Sequence, residues 1–288
     1  MNALFPDSGP RRGLFHRQVR RCWLLTLLLF LATPALAACP RIVSQAPYLT
    51  LALQWLGQGP CIVGVSRYDR QLPQLPRTGG MLDPDGAAIA ALKPDLIVAS
   101  DWASAADLSA ITPPGARLLR LNGFASLAET ESMLATLARA SRAPGARQKL
   151  QDFSRRWRQL AAQVQGKGRK VLLVSACSGS PYSFGRQHLV GDLFTQAGFE
   201  VVETAPKIRH LRPGAEIADL ETLVERTRPD ILVSFTPQST DHCSMIAPTL
   251  PVRIVSLEGE DFFHPGPGLL RALAQMRERL GPTPEPQP

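Results

Sequence analysis

Cysteine is scarce in this chain of 288 residues: there are five, none in a CxxC pair and none at metal-ligand spacing from a histidine. A structural zinc site is therefore not expected. Glycine signatures are missing too. No GxGxxG follows the first apolar run and no GxSxG occurs anywhere, SACSGSPYSFG included. That removes the dinucleotide-binding turn and the hydrolase nucleophile elbow. The formal charge is +8, yet no Lys/Arg block is interleaved with aromatics, so nucleic acid is not an expected partner. Only 6% of the residues are aromatic, which makes their positions informative.

Part of that charge lies in the first 37 residues, which look like an export signal. Arg11, Arg12, Arg17, Arg20 and Arg21 precede an apolar core from Trp23 to Leu31, and Ala35-Leu36-Ala37 is a small-x-small cleavage site. The apolar run is shorter than the ~20 residues a membrane span needs. Removing five arginines and one aspartate lowers the formal charge from +8 to +4. Arg11-Arg12 also admits a twin-arginine signal, and Leu36-Ala37-Ala38-Cys39 resembles a lipobox that would lipidate Cys39.

Cys22 leaves with the signal, so four cysteines remain: Cys39, Cys61, Cys177 and Cys243. In an oxidising compartment pairing is the default. Cys39 and Cys61 each stand just before a short apolar run, and if those runs are neighbouring parallel strands their starts are close enough to bridge. Cys177 and Cys243 follow two later runs in the same way. This two-plus-two pattern uses every cysteine, whereas lipidation of Cys39 would orphan Cys61.

From residue 41 short apolar runs alternate with helical patterns, the signature of parallel sheets buried on both faces. Between 144 and 168 one stretch differs. Leu150, Phe153, Trp157, Leu160 and Val164 follow 3, 4, 3, 4 spacing with Arg155, Arg156 and Arg158 between them, which predicts a long amphipathic rod. After it the pattern restarts, and KPDLIVAS at 93–100 returns as RPDILVSF at 228–235. In each copy a proline stops a helix, Asp95 or Asp230 turns the chain, and an apolar strand follows. The fold class is thus α/β, with two parallel-sheet lobes joined by one long helix. The expected boundaries are a signal over 1–37, a first lobe over 38–143, the linking helix over 144–168, a second lobe over 169–280 and a disordered tail over 281–288. Ligands of such sheets bind beyond the carboxyl ends of the strands, so facing lobes place a cleft between them.

RIVSQAPYLTLALQWLG, CIVGVSRY, TGGMLDPD and ALKPDLIVASDW, in that order, resemble the first lobe of the helix-linked periplasmic binding proteins of ABC importers for vitamin B12, ferric siderophores and haem. The similarity spans about residues 40 to 280, and the cobalamin-binding member looks most alike. The resemblance implies an exported, monomeric, non-enzymatic capture protein with no cofactor of its own. It implies ligand contacts after strand ends: Tyr48, Tyr68 and Trp102 in the first lobe, and Tyr182, Phe184, Arg209, His210, Asp261, Phe262 and Phe263 in the second. Flat aromatic walls suit a large, rigid, partly apolar ligand. Trp102, Phe262 and Phe263 carry most weight, because a large aromatic directly after a strand would otherwise be exposed. His210 stands beside Arg209 and Arg212 as cleft lining, with axial ligation of a metal as the alternative.

The resemblance also implies one acidic residue per lobe that docks on the membrane permease. Glu221 matches in the second lobe; in the first the matching position is Ala87, and Asp85 or Asp83 is the substitute. For cargo, a corrinoid fits the aromatics. Ferric siderophore or haem is the alternative, with Arg67, Arg186, Arg209 and Arg212 as anion partners. An exported α/β hydrolase is the rival class, but no histidine is placed to activate Cys177, and neighbours such as Asp241-His242-Cys243 point different ways. A scavenger without a permease is the third possibility.

Overall fold

The computed structural model describes residues 39–175, 181–236 and 250–282. The first lobe is a four-stranded parallel sheet of order β2-β1-β3-β4, built from β1 (Ile42–Ser44), β2 (Ile62–Val65), β3 (Leu96–Ser100) and β4 (Arg117–Leu121). Helices α1 (Pro47–Trp55), α2 (Gly86–Ala91) and α3 (Ala105–Ile111) connect the strands. Every residue of β1 and β3 is buried, as expected of strands covered on both faces.

Two helices lead out of this lobe. The first, α4 (Leu127–Ala140), opens with a reciprocal cap: Ser126 Oγ accepts from the Glu129 N–H at 3.1 Å, and the Glu129 carboxylate accepts from the Ala125 N–H at 2.7 Å. The second, α5 (Ala146–Val164), is the predicted rod, 19 residues or about 28 Å long. Its stripe of Phe153, Trp157, Ala161 and Val164 is buried, while the arginines between them stay in solvent. Trp157 Nε1 donates to Glu131 at 2.6 Å, and the Arg158 guanidinium lies 4.5 Å from the indole centre.

The second lobe contains β5 (Lys170–Ser175), β6 (Tyr182–Phe184), α6 (Leu189–Gln196), β7 (Glu200–Val201), β8 (Ile208–His210), α7 (Leu220–Thr227), β9 (Ile231–Thr236), β10 (Arg253–Glu258), α8 (Glu260–Phe263) and α9 (Leu269–Leu280). Strands β10, β9, β5 and β7 pair in parallel. Beside them β6 and β8 form an antiparallel ribbon. That ribbon is the part of the sheet the sequence concealed: SGSPYSFG and KIRHLRPG carry the glycine and proline of loops and only three-residue strands.

The two copies of the repeated segment do the same work. Lys93 and Arg228 both end their helices in the left-handed region, at φ 46° and 45°. After the intervening proline, the Asp95 carboxylate accepts from the Arg41 N–H at 2.7 Å, and the Asp230 carboxylate accepts from the Lys170 N–H at 2.7 Å. Each Asp N–H returns a bond to the same residue's carbonyl at 2.9 Å. The aspartates thus clamp the start of one strand to the start of its neighbour, β3 to β1 and β9 to β5.

Cys39 and Cys61 are joined, with Cα atoms 5.7 Å apart, at the amino ends of β1 and β2. Closing this loop contributes roughly 3 kcal/mol in the chain-entropy account. Cys177 and Cys243 lie outside the described residues, as do residues 1–38 and 283–288. One apolar core runs through both lobes by way of α4, α5, α6 and α9. Smaller clusters sit on the other face of each sheet, under α2 and α3 in the first lobe and under α7 in the second.

If the clamps are equivalent, Asp95→Ala and Asp230→Ala should each lower the unfolding free energy by about 1 kcal/mol. Urea titrations of the two variants would check this, and a silent change at one site with a loss at the other would show that the repeat is not structural.

Candidate ligand cleft

Two pockets open between the lobes, beyond the carboxyl ends of the first-lobe strands. The first, about 400 Å³, lies among Trp102, Asn122 and Phe124 of the first lobe and Gln187, His188 and Lys207 of the second. Trp102 stacks on Phe124 at 4.7 Å between ring centres and still has 57% of its surface exposed. The second pocket, about 430 Å³, runs between Tyr48, Gln54 and Trp55 on one side and Glu260, Asp261 and His264 on the other. Tyr48 stands between the two. It is 4% exposed, meets Phe124 edge-on at 5.2 Å, stacks parallel to His264 at 6.5 Å and donates to the Leu121 carbonyl at 3.2 Å. Burial pushes its phenol well above the usual tyrosine range.

The root of the cleft is closed tightly. The Leu189 N–H donates to the Phe124 carbonyl at 2.6 Å, and the Asp192 carboxylate accepts from the Leu127 N–H at 2.7 Å. Gly123 has φ +149°, and a Cβ there would come within 2.8 Å of Pro265. The Gly123 backbone of the first lobe therefore meets the Pro265 ring of the second with no room for a side chain.

The predicted site residues divide into groups. Trp102 lines the first pocket; Tyr48 and Asp261 line the second, where Asp261 is bound by the Arg271 guanidinium, with Nε at 2.9 Å. Tyr68 is 59% exposed on the first lobe, with Arg67 over its ring at 5.8 Å and Arg67 itself paired to Asp83. Tyr182 and His210 face each other across the ribbon, ring centres 5.8 Å apart, outside both pockets.

Four further residues expected in the cleft line neither pocket. Phe262 has no exposed surface: α8 forms a turn of helix directly after β10 and tucks the ring between Phe194 and Phe235. Phe184 is 2% exposed and packs on Phe235 and Phe263, so these phenylalanines form the core of the second lobe rather than a cleft wall. Phe263 is half-buried in the same cluster. Arg209 is committed to Glu203, whose side chain is fully buried, with Nε at 3.0 Å. Burial alone would raise the Glu203 carboxyl, but bonds from Arg209, the Ser183 hydroxyl and the Ala205 N–H outweigh it and hold the group below the usual range.

Sequence reading passed over Phe124, His188 and Lys207. Phe124 follows the end of β4, so the rule applied to Trp102 would have found it. His188 carries no such signal: it caps α6, its Nδ1 accepting from the Val190 N–H at 3.2 Å, and packs on Phe184 at 4.8 Å. Among the described residues no group of three His, Cys, Asp or Glu could hold a metal ion.

Comparison with known proteins gives the family. The sequence profile of the periplasmic binding protein family matches residues 42–244. The chain belongs to that family. No curated protein sequence matches it significantly. Among solved structures, the vitamin B12-binding protein BtuF of Vibrio cholerae superposes with a TM-score of 0.67 at 20% identity, covering 84% of this chain and 96% of that one. The haem-binding protein BhuT, in complex with two haems, gives 0.68 at 20% identity over 84% and 97%. The siderophore-binding protein BauB, bound to ferric iron and two acinetobactin molecules, gives 0.66 at 19% identity over 83% and 92%. At these identities the likeness establishes the shared bilobed α/β fold of this binding protein. No helix among the described residues is long and apolar enough to cross a membrane.

Burial, and then the nearby Lys207 charge, depress the His188 pKa from 6.5 to about 4. The unfolded chain therefore takes up this proton before the folded one, so the contribution of His188 is intact above pH 6.5 and is lost as pH falls toward about 4. Asparagine can still cap α6. His188→Asn should accordingly lose less stability than the parent protein over that interval in thermal melts; parallel pH profiles would refute the depressed pKa.

Proposed function

We propose that this binding protein is the exported solute-binding component of an ABC importer, that it takes a corrinoid of the vitamin B12 type between its lobes, and that it delivers it to a membrane permease. The observation that carries this reading is the Trp102–Phe124 stack, an exposed aromatic platform at the carboxyl ends of the first-lobe strands, facing the second lobe across a pocket. A pocket of about 400 Å³ accepts the edge of such a macrocycle and leaves the rest toward solvent. Neighbours of this fold bind vitamin B12, haem and a ferric siderophore. Ferric siderophore or haem is thus the alternative cargo. Against a multiply anionic siderophore stands the engagement of two of the four candidate arginines, Arg67 by Asp83 and Arg209 by Glu203.

Docking on the permease is assigned to Asp85 and Glu221. Both are exposed, and they begin equivalent helices: Asp85 caps α2, and Glu221 lies in the first turn of α7. These two helices lead into the repeated segments, so the acids stand at matching ends of the two lobes. A periplasmic location with a cleaved signal follows from the basic and apolar pattern of residues 1–37. The bond to Cys61 takes up the thiol that a lipid anchor on Cys39 would need. We assign no catalytic residues and no resident cofactor, and the protein is proposed to act as a monomer.

Calorimetric titration with cyanocobalamin and with a ferric siderophore tests the cargo. Loss of the stack in Trp102→Ala should weaken corrinoid binding about tenfold or more. Heat with the iron complex alone would transfer the assignment to the alternative. Glu221→Arg should abolish uptake into cells while leaving affinity unchanged; unchanged uptake would favour a scavenger without a permease.

A further inference from the structure

The second-lobe wall of the first pocket is built with more care than a solvated loop requires. The Lys207 carbonyl accepts from the Gly185 N–H at 2.6 Å, and the Pro206 carbonyl accepts from the Gln187 N–H at 2.7 Å. A Cβ on Gly185 would fall 1.8 Å from the Ala205 carbonyl oxygen. Residues 205–207 therefore lie directly on 185–187, at a distance only glycine allows. Behind them the buried Glu203 carboxylate receives the Ala205 N–H at 2.7 Å, Arg209 Nε at 3.0 Å and the Ser183 hydroxyl. A buried carboxylate with every partner in place fixes the turn that carries Lys207.

Two donors result. Lys207 is exposed at the pocket and has no ion-pair partner among the described residues. His188 lines the same wall, and because its Nδ1 accepts the Val190 N–H, the hydrogen-bond pattern assigns the ring proton to Nε2. Nε2 is thus a donor, with no lone pair for a metal. On the opposite wall Glu129 is engaged by the Ala125 N–H, and Asp101 is exposed, which disfavours a second negative charge on a ligand.

We propose that Lys207 and the His188 Nε2–H form a receptor for one anionic oxygen group on the rim of the ligand, a phosphodiester or a carboxylate, while the Trp102–Phe124 platform holds its apolar face. The inference rests on the reading of this cleft as the cargo site and narrows the cargo to molecules with an anionic edge. In a corrinoid that group is the phosphodiester of the nucleotide loop; in a porphyrin it is a carboxylate.

The test compares ligands with and without that group: cyanocobalamin against dicyanocobinamide, which keeps the corrin ring but lacks the whole nucleotide loop, phosphodiester included, and metal-free protoporphyrin IX against its dimethyl ester, which differs in the carboxylates alone. The parent protein should bind the anionic member of a pair about tenfold or more tightly, the scale of a charge-assisted hydrogen bond. Lys207→Met and His188→Asn should erase that preference, and Lys207→Arg should retain it. Equal binding of cyanocobalamin and dicyanocobinamide, unmoved by the variants, overturns the receptor and leaves the corrinoid reading intact. Preference for the free porphyrin acid with no corrinoid binding supports the receptor, assigns the carboxylate source and removes the corrinoid. Binding of none of the four overturns the receptor together with the macrocycle reading on which it rests.

Discussion

The apolar stripe of α5 has to be buried, and the two lobes supply the surfaces that bury it. Phe153, Trp157, Ala161 and Val164 belong to one core that extends from Ile42 and Leu49 in the first lobe to Leu273 and Met276 in the second. Exposing Trp157 or Phe153 by swinging a lobe away would forfeit on the order of 2 kcal/mol for each ring. The polar face contributes anchorage as well, through Arg158 and Glu131 and through Arg277 on Gln163. A hinge inside a shared core differs from a flexible linker, and small lobe movements follow from it.

The cleft inherits its shape from that constraint. Once the lobes are held, the ends of β4 and the start of α6 meet through Phe124 and Leu189, and Gly123 meets Pro265. What remains open are the spaces on either side of Tyr48, and the side chains left facing them are few. On the proposed reading, binding capacity here is largely pre-formed, with the aromatic stack and the polar wall in place before a ligand arrives.

In the proposed receptor the polar wall couples stability to recognition. Glu203 would be costly as a lone buried charge, and Arg209, Ser183 and Ala205 compensate for it. The same bonds close the turn that presents Lys207. Arg209 thus serves the site indirectly: its charge is spent inside the lobe, and the lysine two residues earlier carries the free one.

The architecture was legible because it rests on local rules. Buried parallel strands appear as short apolar runs, a rod as 3, 4 spacing, and the repeated Lys/Arg-Pro-Asp as a strand start met twice; even the Cys39–Cys61 pairing follows from adjacent strand starts. Pocket-lining residues were legible where exposure follows from position along the chain, as for Trp102. It does not follow for Phe262 and Phe184, since whether an aromatic after a strand faces ligand or core depends on the turn that follows and on the rings already beneath it. Nor could spacing indicate that Arg209 finds a buried partner, or that Gly185 brings Lys207 against His188. The sequence by itself determined the parallel strands, the longer helices and the division into two lobes, because hydrogen bonding and hydrophobic periodicity act between near neighbours. Tertiary structure decided which aromatic and charged groups stay free, because that depends on residues distant in the chain competing for the same space and the same charge.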